Sequence, residues 1–395
     1  MGTDFRRPIT PTERLYFSTR EVTPPFIMQF VVPGEGTLDP ALLQRAVDTA
    51  SAANPGSRLV ADGDRWVDSG VAAAVRVVPG RTLDYSALEH DAELNTPLGP
   101  TAAHTTEVLL LTGDPVTVVF RAFHGVMDGM GLRHWVDDIF RALRGEPPVG
   151  APDPIADAEL VDRIGAPGKP TLVVPRFRAA TGRGKQDRTA PRWLLRHRTV
   201  EANGRAVVAR TCAILAEQTR GPSRFMIPVD LRRHDPALRS TANLALPLFL
   251  DVAPGSGWEA VTAQMREGLG ANRELNQMDN GGLSRYPKPM VRGVLRASNW
   301  LGARAGRNMV SATVSHVGAV DTAALATPTW RPTTMRVLPP HSGSMPLLFG
   351  ILAVGPRLEI SVSCRNGAGI EPRLESLLDT LAARLTAELA EAPAA

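Results

Sequence analysis

The chain has 395 residues, 43% hydrophobic and 21% charged, the proportions of a soluble globular protein. That length exceeds one typical core and fits two domains of roughly 150 to 200 residues each. The formal net charge of +4 is mild, no apolar run approaches the ~18 to 20 residues of a membrane span, and MGTDFRRPITPTE lacks a signal-peptide core, so a cytoplasmic protein is expected.

Thr10-Pro11-Thr12-Glu13 is a capping box with proline at the first helical position, predicting a short helix over residues 11–17. FIMQFVV, residues 26–32, reads as a strand ended by the PGEG turn. A helix then opens at Asp39-Pro40 and stops at Asn54-Pro55-Gly56. Short strands are expected at 58–60, 65–67 and 74–78, and paired strands at 107–111 and 116–123 across Thr112-Gly113-Asp114-Pro115.

The stretch from Thr117 to Leu143 passes from a buried strand into a helix with one apolar face, Leu132, Trp135, Val136, Ile139, Phe140 and Leu143. At the junction HGVMDG places His124 and Asp128, with Gly125, Gly129 and Gly131 in the turn. An imidazole with an ordinary pKa of about 6.5 is a natural general base near neutral pH, and the end of a strand can aim it into a cleft. Taken alone, the hexapeptide reads equally well as a turn histidine followed by a helix-capping aspartate.

Residues 144–191 are rich in proline, glycine and charge and read as a crossing between two lobes, with a short helix over 155–164. Residues 176–198 hold eight lysines or arginines and one acid, Asp187, which reads as a solvated linker. Without interleaved aromatic residues it is not expected to bind nucleic acid, whereas a basic rim suits cofactor phosphates or an acidic protein partner. The second half predicts a helix over 195–219, strands over 225–231 and 244–253, and helices starting at Trp258 and Pro289. A strand over 309–320, a hairpin of 347–354 with 358–364, and a helix over 371–389 complete it. Cys212 and Cys364 sit in apolar surroundings and read as small buried hydrophobes. No nucleophile elbow, phosphate loop, HExxH or CxxC occurs, so no metal is expected.

AFHGVMDG resembles the HHxxxDG motif of the CoA-dependent acyltransferase superfamily, which includes condensation domains, polyketide-associated acyltransferases, wax-ester synthases and chloramphenicol acetyltransferase. ITPTERLYF, NPGSRLV, IPVDLRRHDP, TANLALPLFLDV and SATVSHVGAV resemble further segments of that group, in the same order and across nearly the whole chain. The resemblance implies an α/β (α+β) fold of two chloramphenicol-acetyltransferase-like lobes in a V around a central substrate channel. The first lobe would span 1–175, a basic linker 176–194 and the second lobe 195–395. His124 is implied as general base, with Asp128, Gly129 and Arg232 as structural residues of the motif and Arg233 as a second choice for the aspartate's partner. Ser315 and His341 are candidates for the channel or for oxyanion stabilisation.

Three departures stand out. Phe123 replaces the first motif histidine, His316 replaces an asparagine of SNVG, and the DFGWG loop of plant members is missing. The implied activity is that of a stand-alone acyltransferase of secondary or lipid metabolism. It would carry no tightly bound cofactor and use acyl-CoA or acyl-phosphopantetheine as donor substrate. A small-molecule acceptor, an acidic acyl or peptidyl carrier protein as partner, and a monomeric state go with that reading. The alternatives are a noncatalytic recruitment module, or a same-fold enzyme of cyclisation or dehydration.

Overall fold

In a computed structural model describing residues 5–100, 104–186, 191–278 and 282–390, the apolar runs assemble into two six-stranded sheets and a small three-stranded one. The first half of the chain runs β1 (Arg6–Pro8), α1 (Pro11–Val22), β2 (Ile27–Gly36), α2 (Pro40–Ala53), β3 (Leu59–Asp62), β4 (Arg65–Asp68), β5 (Val75–Val78), β6 (Thr106–Leu111), β7 (Val116–Phe123), α3 (Gly129–Leu143) and α4 (Asp157–Ile164). The second half follows as β8 (Trp193–Glu201), α5 (Val207–Glu217), β9 (Ser223–Asp230), β10 (Ala245–Val252), α6 (Trp258–Gly270), α7 (Lys288–Ala305) and β11 (Ala312–Val320). Then come β12 (Trp330–Pro332), β13 (Arg336–Leu338), β14 (Leu347–Val354), β15 (Arg357–Arg365) and α8 (Ile370–Ala390).

The first lobe is built on the sheet β12-β2-β7-β6-β5, with β13 also paired to β2. Against it α3 buries the face its sequence period marks out: Leu132, Trp135, Val136, Ile139 and Phe140 are sealed from solvent. The Trp135 and Phe140 rings meet Phe120 of β7 edge-on, at 6.4 and 5.7 Å. Each such side chain contributes about 1.5 to 3 kcal/mol through burial, so the turn before α3 is anchored at both ends. The second lobe is the sheet β10-β9-β11-β14-β15-β8, where β11 runs parallel to both of its neighbours. Its core holds both cysteines as free, buried thiols.

Four expectations need correction. The helix expected over 195–219 is instead strand β8 followed by α5, because β8 pairs antiparallel with β15 along its full length. Part of the basic stretch is no solvated linker: Arg196 pairs with Glu89, Glu371 and Glu375, and Arg198 with Glu375 and Asp379. Residues 187–190 of that stretch, Asp187 among them, lie outside the described residues.

The division at 175 and 195 is also crossed by the chain. β2 does not end at PGEG but runs to Gly36, because Trp330–Pro332 pairs antiparallel with Gly34–Gly36. A side-chain carbon at Gly34 would lie 2.5 Å from the Trp330 ring, so only glycine lets the indole cover the strand. Residues of the second half, Val317, Trp330, Met335 and Val337 among them, thereby enter the first lobe's core. Among the described residues no helix is long and apolar enough to cross a membrane.

Candidate active site

β7 delivers His124 at its end, and the turn that follows is tied from several sides. The His124 imidazole stacks on Tyr16 of α1 with centroids 4.8 Å apart and on Phe26 at 5.6 Å, and Tyr16 and Phe26 are themselves 5.2 Å apart. Phe26 has φ of +49°, a left-handed conformation that costs a non-glycine residue of order 1 kcal/mol. The strained turn presents both its ring to the imidazole and its carbonyl to the His124 amide, at 3.4 Å.

His124 Nδ1 lies 3.2 Å from the carbonyl oxygen of Met127. A carbonyl can only accept, so the hydrogen-bond network assigns the proton to Nδ1 and leaves the lone pair on Nε2. Burial lowers the imidazole pKa below its ordinary value, opposed by the Met127 carbonyl, the Asp128 charge and the Asn243 side chain. The ring is therefore neutral at pH 7, and it remains only half-buried. A neutral, oriented imidazole with one basic, unprotonated nitrogen can accept a proton from a group brought beside it.

Asp128 caps α3. Its carboxylate accepts from Gly131 N at 2.7 Å, from Leu244 N at 2.8 Å, and from Arg232 Nη1 and Nη2 at 3.1 and 3.3 Å. Arg232 in turn donates to Asp230 at 2.7 Å and to the carbonyls of Ser240 and Ala242. With four donors on it, this buried carboxylate closes the motif turn onto the second lobe rather than reaching toward Nε2. Arg233, the second choice for this pairing, goes instead to Glu274 at 2.7 Å. At Gly131 a side-chain carbon would lie 2.1 Å from the Thr241 carbonyl, so the lobes touch backbone to backbone beside the ion pair. Gly129 opens α3, and nothing among the described residues accepts from the amides of Gly129 and Met130.

Beneath the turn lies a buried polar group that the sequence reading overlooked. Glu13, the capping-box glutamate, accepts from Arg7, from Trp66 Nε1 at 3.0 Å and from Asn243 Nδ2 at 3.3 Å. Arg7 also donates to the carbonyl of Val126 at 3.0 Å, inside the motif turn. Asp157, buried at the start of α4, has its carboxyl pushed up to about 7 by burial and by the Glu13 charge. Tyr16 shares the exposed-to-buried edge of α1 with Glu13 three residues away, which the capping box alone did not reveal. Asn243 lies in the TANLALPL segment, whose pattern is otherwise that of an apolar strand.

The two remaining candidates do not join this group. Ser315 is half-buried on β11 opposite Gly350. His341 is buried with its ring flat against Trp193, 5.6 Å away, and burial with the nearby Arg365 holds its pKa down to about 3. Among the described residues no hydrogen bond or ring contact links Ser315 or His341 to His124, and no cluster of side chains could hold a metal ion.

No family model matches the chain, and no curated protein sequence matches it. Solved structures do. The chain is similar to polyketide synthase associated protein 5 from Mycobacterium tuberculosis, at 14% identity and TM-score 0.63 over 99% of this chain and 100% of that one. It is similar to the first condensation domain of the calcium-dependent antibiotic synthetase, at 17% identity and TM-score 0.62 over 96% of each. The epimerization domain from the third module of tyrocidine synthetase B matches at 11% identity and TM-score 0.59 over 98% of each. The fold is thus the two-lobed α/β fold of condensation domains.

Proposed function

We propose that this chain is an acyltransferase that moves an acyl group from a thioester to a hydroxyl or amine of a small-molecule acceptor, with His124 as general base. The observation that carries the reading is the state of that imidazole. It is neutral at pH 7, committed through Nδ1 to Met127, held by two aromatic rings and left with a basic Nε2.

In this reading Nε2 takes the acceptor's proton as the acceptor oxygen or nitrogen bonds to the thioester carbonyl carbon. Collapse of the tetrahedral intermediate expels the thiolate, which recovers the proton from the imidazolium and leaves as thiol. A positioned base supplies typically 10² to 10⁴-fold, and aligning two substrates supplies several kcal/mol more. The unoccupied amides of Gly129 and Met130 are the groups we assign to the developing oxyanion, with Ser315 as a further donor. Acyl-CoA or an acyl-phosphopantetheine on an acidic carrier protein serves as donor substrate. Asp128 and Arg232 keep the turn in place, and His341 takes no part.

The test incubates purified protein with a panel of acyl-CoA and acyl-carrier-protein donors and with alcohol and amine acceptors, read by product mass. An acylated acceptor is expected, and His124→Ala should reduce its formation at least about a hundredfold without loss of fold. Undiminished turnover by that variant, or a product changed by cyclisation or dehydration instead of acylation, would remove the reading. A folded protein that yields no product with any donor would leave the fold in a recruiting role instead.

A further inference from the structure

α7 has a composition unlike any other helix of the molecule. Its sequence, KPMVRGVLRASNWLGARA, contains Lys288, Arg292, Arg296 and Arg304 and no acidic residue. Only Val291 and Gly302 are buried, while Met290, Val294, Trp300 and Leu301 stand 52%, 42%, 61% and 55% exposed. Met290, Val294 and Leu301, with Ala297 between them, fall at the four- and three-residue steps that line up along one side of a helix, and Trp300 flanks that stripe. The opposite side is fastened to the first lobe: Arg292 pairs with Glu21 of α1, and Lys288 lies 5.6 Å from the Phe17 ring.

The cations around the stripe are available. Arg304 lies over the Trp300 ring at 5.8 Å, and neither it nor Arg296 has a carboxylate partner among the described residues. At the helix's C-terminal end Arg178, Arg183 and Arg220 line a cleft of about 430 Å³ together with Ala305 and Gly306, with no acidic side chain in its wall. The helix thus offers a row of large apolar side chains together with Arg296, Arg304 and the arginines of the cleft. A soluble surface rarely leaves such a patch without a partner.

We propose that α7 docks the protein on an anionic lipid surface, with Met290, Val294, Trp300 and Leu301 entering the headgroup–acyl boundary and the arginines meeting lipid phosphates. The composition favours lipid over an acidic protein. Four large apolar side chains stand exposed on a helix that carries cations and no acidic residue, so the same face offers groups for the acyl boundary and for the phosphates above it. A cationic face beside Trp, Leu and Met is the composition of helices that lie in the interface plane. Docking in this way would bring α1, and with it the Tyr16 ring on His124, close to the lipid. The inference does not rest on the acyltransferase reading.

Co-flotation of the full chain with vesicles tests it, using phosphatidylcholine alone and phosphatidylcholine with roughly one-third phosphatidylglycerol. The wild-type protein should float with the anionic vesicles, more weakly with neutral ones, and less as salt rises. The double substitution Trp300→Ser/Leu301→Ser should lower partitioning at least about tenfold. Both positions are exposed, and an unchanged thermal melt verifies that the variant is folded. Arg296→Glu/Arg304→Glu should abolish the preference for anionic vesicles. No flotation of the wild-type protein with anionic vesicles, or flotation of the Trp300/Leu301 variant at the wild-type level, overturns the proposal. So does binding to soluble polyglutamate that displaces vesicles and is indifferent to Trp300, which would make the face a docking site for an acidic protein.

Discussion

His124 owes its chemistry to neighbours that its own segment does not supply. Tyr16 and Phe26 shield the ring and depress its pKa, while Met127 fixes which nitrogen carries the proton. An imidazole below its pKa is protonated and cannot accept a proton, so kcat/KM for acyl transfer should fall as pH drops through a value under 6.5. Tyr16→Ala opens the ring to water, relieves the desolvation and should move that acid limb upward, toward the ordinary imidazole value. A pH–rate profile of the variant checks this, and a limb that stays in place would mean the ring does not set the pKa. The HxxxDG residues were legible in the sequence because strand, turn and helix are contiguous there. Tyr16, Phe26 and Asn243 were not, since they reach the imidazole from α1, from the lead into β2 and from the second lobe. Nothing in their local spacing encodes that meeting.

At the scale of elements, the starts of two helices carry buried carboxylates. Asp128 at the start of α3 spends its whole carboxylate on Gly131, Leu244 and Arg232. Asp128→Ala would take the shared acceptor from the Gly131 and Leu244 amides and from Arg232, leaving Asp230 as the guanidinium's one carboxylate, and should cost about 3 kcal/mol in a urea melt, with activity falling alongside. α4 begins with Asp157, whose carboxyl is raised from 3.8 to about 7 by burial and then by Glu13. Between those two pH values the folded chain holds a proton that the unfolded chain has released, so this group's contribution to stability declines as pH rises through the window. Asp157→Asn removes the titration. Relative to the parent it should gain stability at about pH 8 and gain little at about pH 4, and equal gains at both would exclude this group as the source. Elements with a clear period, such as α3, α8 and the β14–β15 hairpin, were readable from the sequence. β8 was misread because the buried Arg196 and the half-buried Arg198 interrupt an apolar alternation, and the carboxylates of α8 and Glu89 make those arginines acceptable in a strand. β1, β12 and β13 are three residues long, too short to carry a pattern at all.

For the whole molecule, length alone pointed to two lobes, but their boundary is spatial and not sequential. The chain of the second half returns to the first sheet at Trp330, which is sealed from solvent, lies parallel to Phe140 at 5.9 Å and donates its Nε1 proton to the Val116 carbonyl at 3.2 Å. A few residues on, Arg336 of β13 joins Tyr85 of the first lobe at 3.1 Å to Glu359 of the second at 3.4 Å. Replacing Trp330 by alanine removes an indole from the first core although the residue belongs to the second half, and should cost about 3 to 5 kcal/mol. Because β12 pairs with β2 and β2 with β7, the loss should appear as faster amide hydrogen exchange along β2 and β7, the strand that ends at His124. β9 and β10, which lie in the other sheet and pair with neither β2 nor β7, should exchange as before. If each half of the sequence were a self-contained lobe, the change would stay within the neighbourhood of residue 330 and never reach the motif strand. The exchange pattern therefore separates a lobe completed by its partner's chain from two lobes that merely touch.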